Sequence, residues 1–97
     1  MVTFRETQWD NGQPVIDIDP FDEAFFSPIL KALSDTYNFP LPEIMEWING
    51  SVAHFEILGT WAEMRTDEWF FSITFGSVSA RDEVLAHLQS LPPAYFK

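Results

Sequence analysis

Residues 51–76 read SVAHFEILGTWAEMRTDEWFFSITFG, and the alternation in this stretch decides the fold. Side chains on a strand point to opposite sides in turn, so Ala53, Phe55 and Ile57 share a side. A turn over residues 58–61 around Gly59 sets Ile57 opposite Ala62 and Phe55 opposite Met64. A second turn over residues 66–69 sets Met64 opposite Phe71 and Ala62 opposite Ile73, with Phe75 and Trp69 on the same side. Three alternations then agree on one apolar face. Loops of two or four residues keep that agreement, whereas a three-residue loop would turn one strand over and expose its apolar set. The stretch therefore predicts a three-stranded antiparallel meander.

The same pairing fills the opposite face with His54 beside Arg65 and Phe70, Glu56 beside Glu63 and Ser72, and Leu58 beside Trp61 and Thr74. Like charges directly opposite each other cost on the order of a few tenths of a kcal/mol, so Glu56 against Glu63 calls for relief from Arg65 or His54. Trp61, Phe70 and Leu58 around two carboxylates make an apolar anchor with a charged surround, which suits recognition. An ordinary solvated sheet face carries the same residue types. In a third arrangement the C-terminal helix covers this face, and the carboxylates then need partners.

Working outward, VTFRETQW and PVIDID flank Asp10-Asn11-Gly12, which predicts a β-hairpin over Val2–Asp19. Pro14 cannot donate to a ladder, which places this hairpin at a sheet edge. Asp17, Asp19, Asp22 and Glu23 follow closely, but Pro20 and Phe21 interrupt any calcium-loop spacing and the central glycine is missing. Asp19 capping a helical turn with Pro20 at its first position accounts for the segment better, with Asp22 and Glu23 at the positive end. An acidic patch facing a partner would use the same residues.

Phe21, Phe25, Phe26, Ile29, Leu30, Leu33 and Tyr37 keep helical spacing. Pro28 suggests that Ser27 caps a second helix beginning there. Pro42 opens a short predicted helix, PEIMEWIN, which Gly50 stops, with Ile44, Trp47 and Ile48 on its buried side. After the meander, ARDEVLAHLQSL is a helix with Ser79 as its cap, Asp82 and Glu83 in its first turn, and Pro92 and Pro93 beyond its end. The tail, AYFK, either packs Tyr95 and Phe96 onto the body or offers them to a partner.

A chain of 97 residues has room for one domain, and 46% hydrophobic with 16% aromatic content suits a packed core. The expectation is a single α+β domain over residues 1–97, its hairpin and meander forming an antiparallel sheet packed against helices. No apolar run reaches the roughly 18 residues of a membrane span, and MVTFRETQWD lacks the pattern of a secretory signal. The expected compartment is the cytoplasm. The chain has no cysteine, which removes disulfides and thiolate metal sites.

Charge narrows the function classes. Fifteen acidic residues against five basic ones give a formal charge of −10. Direct contact with nucleic acid is disfavoured, because phosphate backbones are bound with lysine and arginine. The field suits a basic partner, since complementary fields raise association rates, although acidity also serves solubility alone. In size and charge, though in no single motif, the chain resembles the immunity proteins of bacterial toxin systems. That resemblance implies inhibition of a nuclease-type toxin.

No catalytic set emerges. His54, Glu56, Glu63 and Ser72 supply residue types, but Ser72 sits mid-strand without a glycine-framed nucleophile turn. A facing Glu56–Glu63 pair is the best enzymatic alternative. His87 has no second histidine one helical turn away to make a metal pair, and neither a phosphate-cradling loop nor a dinucleotide fingerprint is present. The chain reads as a non-enzymatic acidic binder without metal or cofactor, a monomer or weak homodimer. Its contacts are expected at Glu56, Glu63 and Trp61, and at a second region of Asp17, Asp19, Asp22 and Glu23. The runners-up are a phage-type inhibitor mimicking nucleic-acid charge and a small subunit of an oligomeric assembly.

Overall fold

A computed structural model describes residues 2–92 and 94–96. Strands β1 (Thr3–Gln8) and β2 (Pro14–Asp19) form the expected hairpin around Asp10-Asn11-Gly12. A short 3-10 turn (Glu23–Phe25) leads into helix α1 (Phe26–Tyr37). Strands β3 (Met45–Trp47), β4 (Gly50–Ile57), β5 (Thr60–Thr66) and β6 (Phe71–Phe75) follow, and helix α2 (Val78–Ser90) closes the chain. All six strands form one antiparallel sheet in the order β1-β2-β6-β5-β4-β3. The α+β class is as expected. The sheet is more than a hairpin beside a meander, because β2 pairs with β6 and β3 adds a further strand to the meander.

The apolar face falls where the alternation put it, but both registers slide by two residues. Ile57 pairs with Thr60, Phe55 with Ala62 and Ala53 with Met64, because only Leu58 and Gly59 form the turn. Both take positive φ, 52° and 76°, the conformation that two-residue hairpin turns require. Across β5–β6, Met64 meets Ile73 and Ala62 meets Phe75, since Thr66 still belongs to the strand and the loop is 67–70. A slide of two preserves every facing. It also removes the expected opposition of Glu56 and Glu63, so the facing acid pair does not form: Glu56 lies opposite Trp61, and Glu63 opposite His54.

Both helices lie on that apolar face. Phe26, Ile29, Leu30 and Leu33 of α1 and Ala80, Val84, Leu85 and Leu88 of α2 form one core with Phe55, Met64, Phe71, Ile73 and Phe75. Phe26 stacks on Phe71 and Phe39 on Phe55, with centroids 5.9 and 4.8 Å apart. Helix α2 runs under the β1 edge, where Arg81 Nη1 donates to Thr7 O at 2.8 Å and Gln89 Nε2 to Phe4 O at 3.0 Å. The second of these satisfies the Phe4 carbonyl, which the register turns away from β2 and an edge strand would leave open. Phe96 packs edge-on against Phe4 and is buried, whereas Tyr95 is exposed.

Four local expectations are corrected. Residues 42–49 are not a helix. A helix of eight residues is marginal by itself, and Met45, Glu46 and Trp47 pair instead with Val52, Ser51 and Gly50 around the two-residue loop Ile48-Asn49. The cap after β2 is Asp22, whose carboxylate accepts from Ala24 N at 2.9 Å, while Asp19 is the last residue of the strand. Pro28 sits in the first turn of α1, where its missing N–H has no acceptor to lose, so the helix begins at Phe26. The α2 cap is Ser77, which accepts from Ala80 N at 3.3 Å, so this helix starts earlier than Ser79 would set it.

Candidate protein-binding face

With both helices on one side, the other side of the sheet has no helical cover. Its rows follow from the register: Val52, Arg65, Ser72, Asp17 and Arg5 in one, His54, Glu63, Thr74, Val15 and Thr7 in the next, then Glu56 and Trp61. The two halves of this face differ in chemistry.

Over β2 and β6 the face is roofed by aromatic side chains. Trp9 Nε1 donates to Thr74 Oγ1 at 2.8 Å, and its ring meets Phe70 edge-on at 5.5 Å. Beneath them Val15, Ser72 and Thr74 are buried. Ser72 Oγ and Arg65 Nε, on neighbouring residues across β5–β6, are buried without a hydrogen-bond partner among the described residues.

Over β4 and β5 the face is open and charged. Glu63 bridges two side chains, with His54 Nε2 at 2.9 Å from one carboxylate oxygen and the Arg65 guanidinium Nε at 3.7 Å from the other. The Arg65 guanidinium in turn lies over the Trp47 ring, 5.2 Å from its centroid, a cation–π contact that anchors β3 to β5. Trp61 lies against Gly76, where an added Cβ would come within 2.5 Å of its indole nitrogen. Glycine at 76 is thus what lets this indole settle on the end of β6.

At one end of the face, the β3–β4 loop and the loop 67–70 border a groove of about 430 Å³ lined by Trp47, Ile48, Asn49, Asp67, Glu68 and Trp69. The second loop is held by Asp67, whose Oδ1 accepts from Trp69 N at 2.7 Å and Phe70 N at 3.0 Å. Gly50 lets the strands approach closely here, since a Cβ on it would overlap the Thr66 carbonyl.

The structure brings Glu56, Trp61 and Glu63 onto this one face, while the second acidic region divides. Asp17 lies on the same face, paired with Arg5. Asp19 ends β2 and is exposed. Asp22 is engaged as a cap, and Glu23 accepts from the Ser51 hydroxyl, a residue whose strand partner Thr66 is buried with the core face. Sequence reasoning missed the groove, because it assigned Trp47, Ile48 and Trp69 to the core. Trp47 is 48% exposed, Trp69 77% and Ile48 fully so. The signal that would have found them is Asn49-Gly50, which marks a hairpin between two alternating runs, although the turn itself is Ile48-Asn49 and Gly50 opens β4.

All four tryptophans are thereby exposed to some degree, Trp9 and Trp61 at 38% and 47%. Among the described residues no three His, Asp or Glu side chains group as a metal site, and no helix is long and apolar enough to cross a membrane. No protein-family profile, curated protein or solved structure matches the chain.

Proposed function

We propose that this protein is a non-catalytic, acidic protein-binding domain that blocks a basic partner with the helix-free face of its sheet, as an immunity protein neutralises a nuclease-type toxin. The observation that carries this reading is the placement of the four tryptophans. Every one is partly exposed, and they lie on the uncovered face or at its rim. A fold that buries six of its ten phenylalanines and leaves all four indoles partly in water keeps the residue type that dominates interface energetics available for contact. Glu56, Glu63, Asp67 and Glu68 stand among these indoles, and the chain carries −10 overall. Nucleases present basic surfaces to bind phosphate, and such a surface would be drawn to this one and occluded by it.

The test is capture of proteins encoded beside this one, using the tagged chain at about 50 mM and about 500 mM salt, with mass spectrometry and an activity assay of what is bound. The reading expects one stoichiometric basic protein that loses activity on binding and is released by salt. Glu56→Lys together with Glu68→Lys should slow association about tenfold or more, and Trp61→Ala should speed dissociation. Binding that ignores both charge and Trp61 would refute the assignment to this face. A partner held equally at both salt concentrations would refute the electrostatic reading.

A further inference from the structure

We infer that the groove between the β3–β4 loop and the loop 67–70 is a seat for an arginine side chain of the partner, the guanidinium lying against Trp47 and Trp69 with Asp67 and Glu68 beside it. This inference rests on the acidic-binder reading and gives it a specific contact. The groove lining combines two indoles with two carboxylates and the Asn49 amide. Indoles attract cations through the negative faces of their rings. The carboxylates supply the charge, and a planar, weakly hydrated guanidinium suits flat aromatic walls better than an ammonium does.

The chain itself shows that the Trp47 ring accepts a guanidinium. Arg65 lies over it at 5.2 Å from the centroid yet does not line the groove, and its charge is offset by Glu63 at 3.7 Å. The seat is also built before any ligand arrives. Asp67 fixes the loop through two backbone N–H bonds and its own N–H donates to Phe70 O at 3.0 Å, while the close approach at Gly50 holds the two walls together. A preformed site avoids the ordering cost that weakens flexible ones.

A second copy of this chain is a poor occupant. Two molecules carrying −10 each repel. Among the described residues, every arginine and lysine already faces a carboxylate of its own chain: Arg5 with Asp17, Lys31 with Asp35, Arg65 with Glu63, and Arg81 with Asp82 and Glu6. An uncharged apolar ligand would leave Asp67 and Glu68 without a counter-charge, and a phosphate would be repelled by them.

The experiment is a proton–nitrogen NMR titration of the full chain with the neutral-capped tripeptide Gly-Arg-Gly, its citrulline analogue and hexa-arginine. The chain has four indole N–H signals to follow, assigned by single Trp→Phe variants. The seat predicts saturable shifts at Trp47, Trp69 and the amides of residues 67–70 with the arginine peptide, and a response at least about fivefold weaker with citrulline. Trp69→Ala removes a side chain that is 77% exposed, so the fold is kept and affinity should drop about tenfold. Glu68→Gln should weaken binding by a smaller factor. Equal shifts from citrulline, or shifts centred on Trp61 and His54, overturn the seat. Hexa-arginine binding elsewhere on the protein overturns the seat and leaves the acidic-binder reading standing. No response to either arginine ligand overturns both.

Discussion

Gly50→Ala tests whether the groove is set by backbone approach. An ideal Cβ on Gly50 would stand 1.8 Å from the Thr66 carbonyl oxygen, 2.7 Å from its carbon and 2.9 Å from Asp67 Cα. These are backbone atoms, so no rotamer change relieves the overlap. Reaching ordinary van der Waals contact requires β4 and β5 to part by about 1.5 Å at this end. The Ser51–Thr66 and Trp47–Gly50 pairings lie there, and Ser51 and Thr66 are buried. Losing two or three backbone hydrogen bonds at about 1 kcal/mol each, with buried polar groups left unpaired, predicts a loss of about 3–4 kcal/mol. That is a large share of the roughly 5–15 kcal/mol typical of a domain. Gly59→Ala is the internal control. Nothing lies within 4 Å of its added Cβ, but its φ is +76°, so only the backbone conformation is penalised, at about 1–2 kcal/mol. Urea unfolding followed by tryptophan fluorescence, compared at matched m-value, measures both. If Gly50→Ala costs no more than Gly59→Ala, the close approach is not what holds the two loops together.

Two further outcomes follow from local geometry. Leu58 adopts φ 52° in an exposed turn, so Leu58→Asn should stabilise the protein by about 0.5–1 kcal/mol, read as a higher urea midpoint; a lower midpoint would mean that leucine packing outweighs the backbone cost. Burial, and then the charge of Glu83, push the Tyr37 phenol above its usual value of 10.0. An unfolded chain therefore ionises this tyrosine first, so its contribution is intact below about pH 10 and is lost as pH rises through the folded value. Stability of the native chain should fall in that alkaline window more steeply than that of Tyr37→Phe, and equal slopes would refute the shift.

The legibility of the chain divides along physical lines. Alternation in residues 51–76 identifies the core face, because a strand's two sides are written in neighbouring residues, and Ala53, Phe55, Met64 and Ile73 lie where that pattern places them. The period of two also hides a slide of two. The pairing of Glu56 with Trp61, and of Glu63 with His54, was therefore decided by the Leu58-Gly59 turn and the Asp67 loop. Of the expected site, Glu56, Trp61 and Glu63 were legible as one face, whereas Asp22 took the local cap expected of Asp19, and the bond of Glu23 to Ser51 had no local pattern to reveal it.

What the sequence by itself determined is the α+β class, the N-terminal hairpin, the two long helices, the apolar face and the acidic charge, all of them sums of local propensity and composition. Only the tertiary structure decided that residues 45–47 form a strand, because a segment too short to stand as a helix takes whatever edge is offered, and β4 offers one. It also decided that both helices choose the same side of the sheet, which leaves Trp47, Trp61 and Trp69 in water. An indole's burial depends on what is laid over it, and that covering comes from residues remote in sequence.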